Sequence, residues 1–262
     1  MDCSAYLTRL GLDRCAVDDQ TVSTLQTLQR AHVTSVPFEN LAIVGDPIDN
    51  RPGEGVSLER APLFEKVVDD ERGGFCFELN GLFGWLLAAL DFDATRLAAR
   101  VLDDDGTARP PANHHTFVVS LDRRYVVDVG LGVPPMRRPI PLDGSAVTDE
   151  ANVTWRVVES KRADADYLTQ VREPNESAWT DRYIFRDTPR DLHFFEATCE
   201  FFATAEESTF ADGPTISIAT PDGYAKLTRE ELTVLADGEK SDHAVTDDEW
   251  HDVLQGQFGL SL

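Results

Sequence analysis

The chain has 262 residues, 42% of them hydrophobic, which is enough for one large domain or two to three small ones to bury a core without covalent staples. Its 47 acidic residues against 24 basic ones leave a formal charge of −23, spread in clusters such as Asp69, Asp70, Glu71 and Asp103, Asp104, Asp105. A surface of that sign repels polyanions, so nucleic acid and anionic membrane are excluded as partners.

Only four lysines occur (Lys66, Lys161, Lys226, Lys240), arginine supplying the other positive charges. Carboxylate excess with lysine depletion matches proteins adapted to high intracellular salt, where a Debye length of about 3 Å at 1 M screens self-repulsion. A salt-loving microbial host is the expectation. The N-terminus, MDCSAYLTRL, lacks a basic start followed by an apolar run, and no stretch approaches the roughly 20 apolar residues of a membrane span. A cytoplasmic protein is expected. Cys3, Cys15, Cys76 and Cys199 show neither CxxC nor Cys/His ligand spacing, so no zinc site or disulfide framework is predicted, and all but Cys76 read as free or packing thiols.

In chain order, Thr21 to Ala31 carries Val22, Leu25 and Leu28 at three-residue spacing and predicts a helix; Asp46 to Gly55 is a Pro/Gly loop, and Pro62 to Val68 is helical again. From Phe77 to Leu90, apolar Leu79, Leu82, Phe83, Leu86, Leu87 and Leu90 predict a buried helix with Cys76 at its start, just after Gly73 and Gly74. Beyond residue 94 the texture becomes short strands: Thr95 to Leu102, Thr116 to Leu121, Arg124 to Val129 and Val153 to Val158. The second and third read as a hairpin whose open end brings His114 and Asp128 together. The last third mixes loops with strands at Thr215 to Ala219 and Tyr224 to Leu227 around a Pro221 to Gly223 turn. A closing helix runs from about Thr246 to Leu254, with Thr246 and Glu249 as a capping box.

Cysteine at a helix start is a recipe for a reactive thiolate, because unpaired N–H groups and the helix dipole favour the anion. Cys76 is therefore the candidate nucleophile. The glycine pair before it would allow a sharp turn and a close substrate approach, and Arg72 adds positive charge nearby. A thiolate nucleophile benefits from an imidazole to move protons and a carboxylate to orient that imidazole. His114 and His115 open the first strand of the hairpin, and Asp128 ends the apolar run of the second, where a carboxylate should be buried and paired.

Three blocks, VPFENL at 36–41, RGGFCFELN at 72–80 and YVVDVGLG at 125–132, resemble the signatures of the arylamine N-acetyltransferase family in order and separation. GVPPMRRPIPLDG at 132–144 and CEFFATAEESTFADGPTISIATPDGYAKL at 199–227 are similar to family segments as well, so the resemblance covers the chain. It implies an α+β fold: a helical bundle (1–90) carrying the nucleophile, a β-barrel (91–190) carrying histidine and aspartate, and an interdomain segment with an α/β lid (191–262), around a core akin to papain-like and transglutaminase cysteine enzymes. It also implies ping-pong acetyl transfer from acetyl-coenzyme A, a co-substrate rather than a permanently bound cofactor, through an acetyl-Cys76 to an arylamine, arylhydrazine or N-hydroxyarylamine. In that resemblance the triad is Cys76, His114 and Asp128. The family spacing to Val119 and Leu121 favours His114 over His115, since a one-residue slip would reverse the strand's faces.

Glu39 and Arg72 resemble a structural ion pair bracing the catalytic loop, with Asn80 in a like role. Arg137 and Arg138 are either coenzyme A contacts or a solvated pair. Leu131 stands where the family has phenylalanine, and the hairpin turn after Leu121 is a residue shorter than is common, which leaves acceptor preference open. Competing readings are an amide synthase, a transglutaminase-like acyltransferase or hydrolase, and an inactive binding module.

Overall fold

A computed structural model describes every residue except Asp18, with Ala16 described by its backbone alone. Helix α1 (Cys3–Arg9) starts on the Asp2 side chain, which accepts from the Ser4 N–H at 2.9 Å, and α2 (Val22–Ser35) starts on the Thr21 hydroxyl, which accepts from the Thr24 N–H at 3.1 Å. The buried face of α2 is Leu25, Leu28, Gln29, His32 and Val33. Val22, assigned to that stripe on spacing, is 39% exposed because the cluster covering Leu25 and Leu28 does not extend over the helix's first turn.

Strand β1 (Phe38–Glu39) and the short α3 (Leu41–Val44) precede the Pro/Gly loop. Helix α4 (Arg60–Phe64) then runs into a π turn over Glu65–Asp69. Helix α5 (Cys76–Ala89) is the centre of the first region: Leu79, Leu82, Phe83, Leu86 and Leu87 are all 1% exposed or less. A helix apolar on nearly every side is stable only inside a core. Gly84 lets it lie directly on the next sheet, since a Cβ there would stand 2.1 Å from the Phe117 ring.

The middle region is one antiparallel sheet of eight strands: β2 (Ala94–Val101), β3 (His114–Ser120), β4 (Arg124–Val127), β5 (Ile140–Pro141), β6 (Val147–Thr148), β7 (Thr154–Glu159), β8 (Tyr167–Arg172) and β9 (Thr180–Pro189). Their order is β5-β4-β3-β2-β9-β8-β7-β6, and β5 comes round against β7, so the sheet is a nearly closed barrel. Val118, Val126, Met136, Ile140, Trp155, Val157, Tyr183 and Phe185 fill it.

After helix α6 (Glu196–Thr204) comes a second sheet from β10 (Ile216–Ala219), β11 (Tyr224–Leu227), β12 (Glu231–Ala236) and β13 (Glu239–Ala244), backed by α7 (Asp247–Phe258). At the start of α7 the Glu249 carboxylate accepts from the Thr246 N–H at 3.2 Å and from its hydroxyl at 2.6 Å. The edge of this sheet is β1: Phe38 pairs with Ser217 and Glu39 with Ile216. A piece of the first ninety residues is thus built into the C-terminal sheet. Among the described residues no helix is long and apolar enough to cross a membrane.

Candidate active site

Cys76 is the first residue of α5, and the turn leading to it is held by β1. The Glu39 N–H donates to the Gly74 carbonyl at 2.9 Å, and the Gly74 N–H to the Pro37 carbonyl at 3.3 Å. This accounts for the glycine pair differently from its sequence reading. A Cβ on Gly73 would stand 2.3 Å from the Pro37 carbonyl oxygen, and one on Gly74 would meet the Glu78 side chain at 2.9 Å, so the close approach is by protein and not by substrate.

Beneath the turn lies a buried ionic cluster. Arg72 Nη2 is 3.2 Å from Glu39 Oε1, as the resemblance led us to expect, and Lys66 Nζ joins it at 3.8 Å from Glu39 Oε1 and 2.9 Å from Glu78 Oε1. Glu39 Oε2 accepts from the Leu41 N–H at 2.6 Å, and Glu78 Oε2 from the Phe75 N–H at 3.1 Å. Burial pushes the Glu78 carboxyl up to about 6 against the opposing pull of Lys66. Lys66 had no role in the sequence reading.

Strands β3 and β4 pair as the expected hairpin, Phe117 opposite Val127 and Ser120 opposite Arg124, and their open end carries the histidine and the carboxylate. His114 Nε2 lies 2.6 Å from Asp128 Oδ2, with both side chains 2% exposed or less. The other oxygen, Oδ1, accepts from Asn80 Nδ2 at 2.9 Å and from the Gly130 N–H at 3.0 Å. Asn80 also donates to the His115 carbonyl at 2.7 Å and accepts from the Val129 N–H at 3.0 Å, joining α5 to both strands of the hairpin.

His115 is elsewhere. Its Nε2 is 3.3 Å from the Phe77 carbonyl, and its ring sits among Phe195, Phe77 and Phe117 at centroid distances of 4.9, 5.8 and 6.1 Å. Burial, then the charges of Arg96 and His114, hold its pKa well below the ordinary imidazole range, so it is neutral.

Cys76 and His114 open on one cavity of about 600 Å3, lined also by Phe38, Phe202, Phe210, Leu131 and Gly132. Cys76 Sγ lies 3.9 Å from the carbonyl of Asn113, the residue before His114. Gly130 touches the nucleophile's backbone: a Cβ there would stand 2.9 Å from Cys76 Cα. The acidity of Cys76 departs from the expected lowering. Burial pushes the thiol up, Cys199 and Asp128 push the same way, and the single Phe77 N–H at the helix start pulls it down without prevailing.

Arg137 and Arg138 do not line the Cys76 cavity. Arg137 is buried rather than solvated, with Nη1 2.9 Å from Asp149 Oδ2 and Nη2 donating to the Thr220 and Gly223 carbonyls. Arg138 pairs with Glu150 at 2.8 Å. Arg72, expected to lend charge to the nucleophile, is occupied by Glu39 and by Glu54 at 3.4 Å. Two residues that sequence reasoning passed over belong to the site: Tyr183, whose buried ring packs 5.5 Å from His114, and Arg182, beside it on β9 in the cavity wall. No alternating signal marks them in the sequence: Thr180, Asp181 and Arg182 are followed by an unbroken buried run, Tyr183, Ile184 and Phe185.

Comparison with known proteins gives a consistent result. A family model described as N-acetyltransferase matches residues 21–262. The arylamine N-acetyltransferase of Mycolicibacterium smegmatis is 34% identical over 269 residues, covering all of this chain and 93% of the relative. A crystal structure of an arylamine N-acetyltransferase from Bacillus cereus, with a Cys-His-Glu catalytic triad, superposes with a TM-score of 0.87 at 26% identity and full coverage of both chains. The Mycobacterium marinum arylamine N-acetyltransferase solved in complex with CoA gives 0.85 at 27% identity, over 98% of this chain and 92% of that one.

Proposed function

The chain belongs to the arylamine N-acetyltransferase family, and from that premise we propose that Cys76, His114 and Asp128 are the triad through which it moves an acetyl group. It is an acyltransferase with acetyl-coenzyme A as co-substrate; a relative solved with CoA supports that donor. The acceptor is an arylamine, arylhydrazine or N-hydroxyarylamine, for which Phe38, Phe202 and Phe210 supply aromatic walls. The observation that carries the triad is the buried 2.6 Å contact of His114 with Asp128, opening on the same cavity as the Cys76 thiol.

Because burial disfavours a free Cys76 thiolate, nucleophilicity depends on His114. Its Nε2 is committed to Asp128, so Nδ1 accepts the thiol proton as sulfur attacks the thioester carbonyl, and Asp128 stabilises the imidazolium. The donor's carbon–sulfur bond breaks, coenzyme A leaves as its thiol by taking that proton, and Cys76 is left acetylated. The amine nitrogen then attacks the acetyl carbon and passes its proton to His114, which returns it to the departing Cys76 sulfur. Backbone N–H groups at the start of α5, Phe77's among them, are placed to stabilise the developing oxyanion. Where the Bacillus cereus relative has glutamate in its triad, this chain offers aspartate.

In this reading the helical region, 1–90, supplies the nucleophile, the barrel, 91–190, the base and carboxylate, and the last region, 191–262, covers them. The four cysteines, all unpaired thiols, suit a reducing compartment, and we place the enzyme in the cytoplasm. The charge of −23 with four lysines supports a host that keeps high salt inside.

The test is intact mass after mixing with acetyl-coenzyme A at high potassium chloride without acceptor. One acetyl adduct is expected in the wild type, none in Cys76→Ser, and much slower formation in His114→Ala. No adduct on folded wild-type protein, with turnover of glutamine or peptide amides instead, would replace acetyl transfer by the transglutaminase-like reading.

A further inference from the structure

The acyl donor is a polyanion, and the protein that receives it has 47 carboxylate side chains for 24 cations. Under that excess, surface arginines are taken up by acids: Arg100, Arg109, Arg123, Arg124, Arg138 and Arg229 each have a carboxylate oxygen at 2.6 to 3.0 Å. Two cations in the wall of the Cys76 cavity escape this. Among the described residues no carboxylate oxygen lies within 4.0 Å of a side-chain nitrogen of Arg182 or of Lys226.

They line the cavity from two different sheets. Arg182 lies on β9 of the barrel, its carbonyl accepting from the Leu102 N–H at 2.9 Å, next to the residue whose ring packs on His114. Lys226 lies on β11 of the second sheet, opposite Ser217, which lines the same cavity. Arg182 is half-buried; Nη2 donates to the Val133 carbonyl at 3.1 Å, and Nε is enclosed without an acceptor. Burial pulls the guanidinium below its ordinary range, and the carboxylates of Glu173 and Asp104, both beyond ion-pair distance, oppose that pull without cancelling it.

We infer that Arg182 and Lys226 hold a phosphate of the acyl donor, bridging the two sheets and setting the distance from that phosphate to Cys76. The inference rests on the acetyl-coenzyme A reading. Guanidinium suits two phosphate oxygens at once, and the lysine ammonium adds a point charge from the second sheet. The third cation of the cavity wall, Arg109, is occupied by Asp103 at 2.7 Å, and that aspartate continues into Asp104 and Asp105, all lining the cavity. An anion entering past that loop is repelled from it and attracted to the side of Arg182 and Lys226.

The test compares two acetyl donors in the full-length enzyme, acetyl-coenzyme A and phosphate-free acetyl-pantetheine. In Arg182→Gln and in Lys226→Gln, the ratio of kcat/KM for acetyl-coenzyme A to that for acetyl-pantetheine falls about tenfold or more, with Arg182→Lys intermediate and the remote Arg162→Gln at the wild-type ratio. Equal losses on both donors would mean that the two residues only support the fold, and would overturn the assignment. A wild type acetylated at Cys76 whose donor ratio ignores both substitutions overturns this inference alone. A wild type that forms no adduct overturns the donor reading beneath it as well.

Discussion

Asn80 on α5 and Asp128 at the end of β4 are joined at 2.9 Å, and through that contact the helix that carries the nucleophile orients the carboxylate that orients the base. Asp128 divides its oxygens, Oδ2 to His114 and Oδ1 to Asn80 and Gly130, so neither is free to rotate away. In Asn80→Ala three buried hydrogen bonds are lost, each unsatisfied group costing about 1 to 3 kcal/mol. We expect a fall of about a hundredfold in kcat/KM in protein still folded at assay temperature. Unchanged kinetics in a folded variant would show that Gly130 alone suffices to hold Asp128 Oδ1.

The two adjacent histidines should fail in opposite ways. His114→Ala keeps its melting temperature near the wild-type value and loses adduct formation. His115→Ala, which empties a pocket among Phe77, Phe117 and Phe195, loses about 3 kcal/mol of stability while still forming the adduct below its melting temperature. Thermal melts beside intact-mass time courses decide, and the reverse pattern would move the base to His115.

Gly130→Ala tests the packing of hairpin on helix. Its Cβ would stand 2.8 Å from Asn80 Nδ2 and 2.9 Å from the Cys76 carbonyl oxygen, both fixed by other bonds. One methyl group should therefore cost about 1 to 3 kcal/mol and abolish detectable acetylation. Full activity would mean that the backbone there yields.

Glu78 gives a pH signature. Its folded carboxyl is raised to about 6 by burial, above its unfolded value, so the folded state binds the proton more tightly. Stability from this group is present below about pH 4.5 and is lost as pH rises through 6, a change of about 2 kcal/mol. Glu78→Gln lacks that dependence. Denaturant unfolding at pH 4.5 and 7 in constant salt should show the wild type losing ground to the variant at the higher pH, and parallel curves would refute it.

Self-repulsion from 23 net negative charges should also be visible in salt. Raising potassium chloride from 0.1 to 1 M shortens the Debye length from about 10 to 3 Å. The melting temperature should climb over that range, because screening removes more repulsion than it takes from exposed ion pairs, worth about 0 to 1 kcal/mol each. A melting temperature highest in dilute buffer would argue against a salt-adapted protein.

What the sequence disclosed follows from how local each cause is. The α5 helix, the β3–β4 hairpin and the Thr246 start of α7 are written in contiguous periodicity and capping residues, and each was readable. The β12–β13 hairpin was equally local and was passed over: Asp237 and Gly238, with φ of 51° and 81°, form the two-residue turn that such a dipeptide favours. Other features depend on partners distant along the chain. The exposure of Val22, the retention of Lys66 by Glu39 and Glu78, and the placing of Tyr183 against His114 are decided by packing between segments. So is the acidity of Cys76, where one helix N–H is outweighed by burial that no local pattern announces.

The pairing of Phe38 and Glu39 with Ser217 and Ile216 has a consequence for biosynthesis. As the chain leaves the ribosome, the thiol, the imidazole and the carboxylate have all been made by residue 128, yet the strand that clasps the Gly73–Gly74 turn still lacks its neighbour. That neighbour arrives almost ninety residues later, about four to eighteen seconds at ordinary translation speeds. The nascent protein therefore carries its nucleophile through much of synthesis on a turn whose bracing strand is itself unpaired on its other side, and the last sheet to be translated completes the first part of the site.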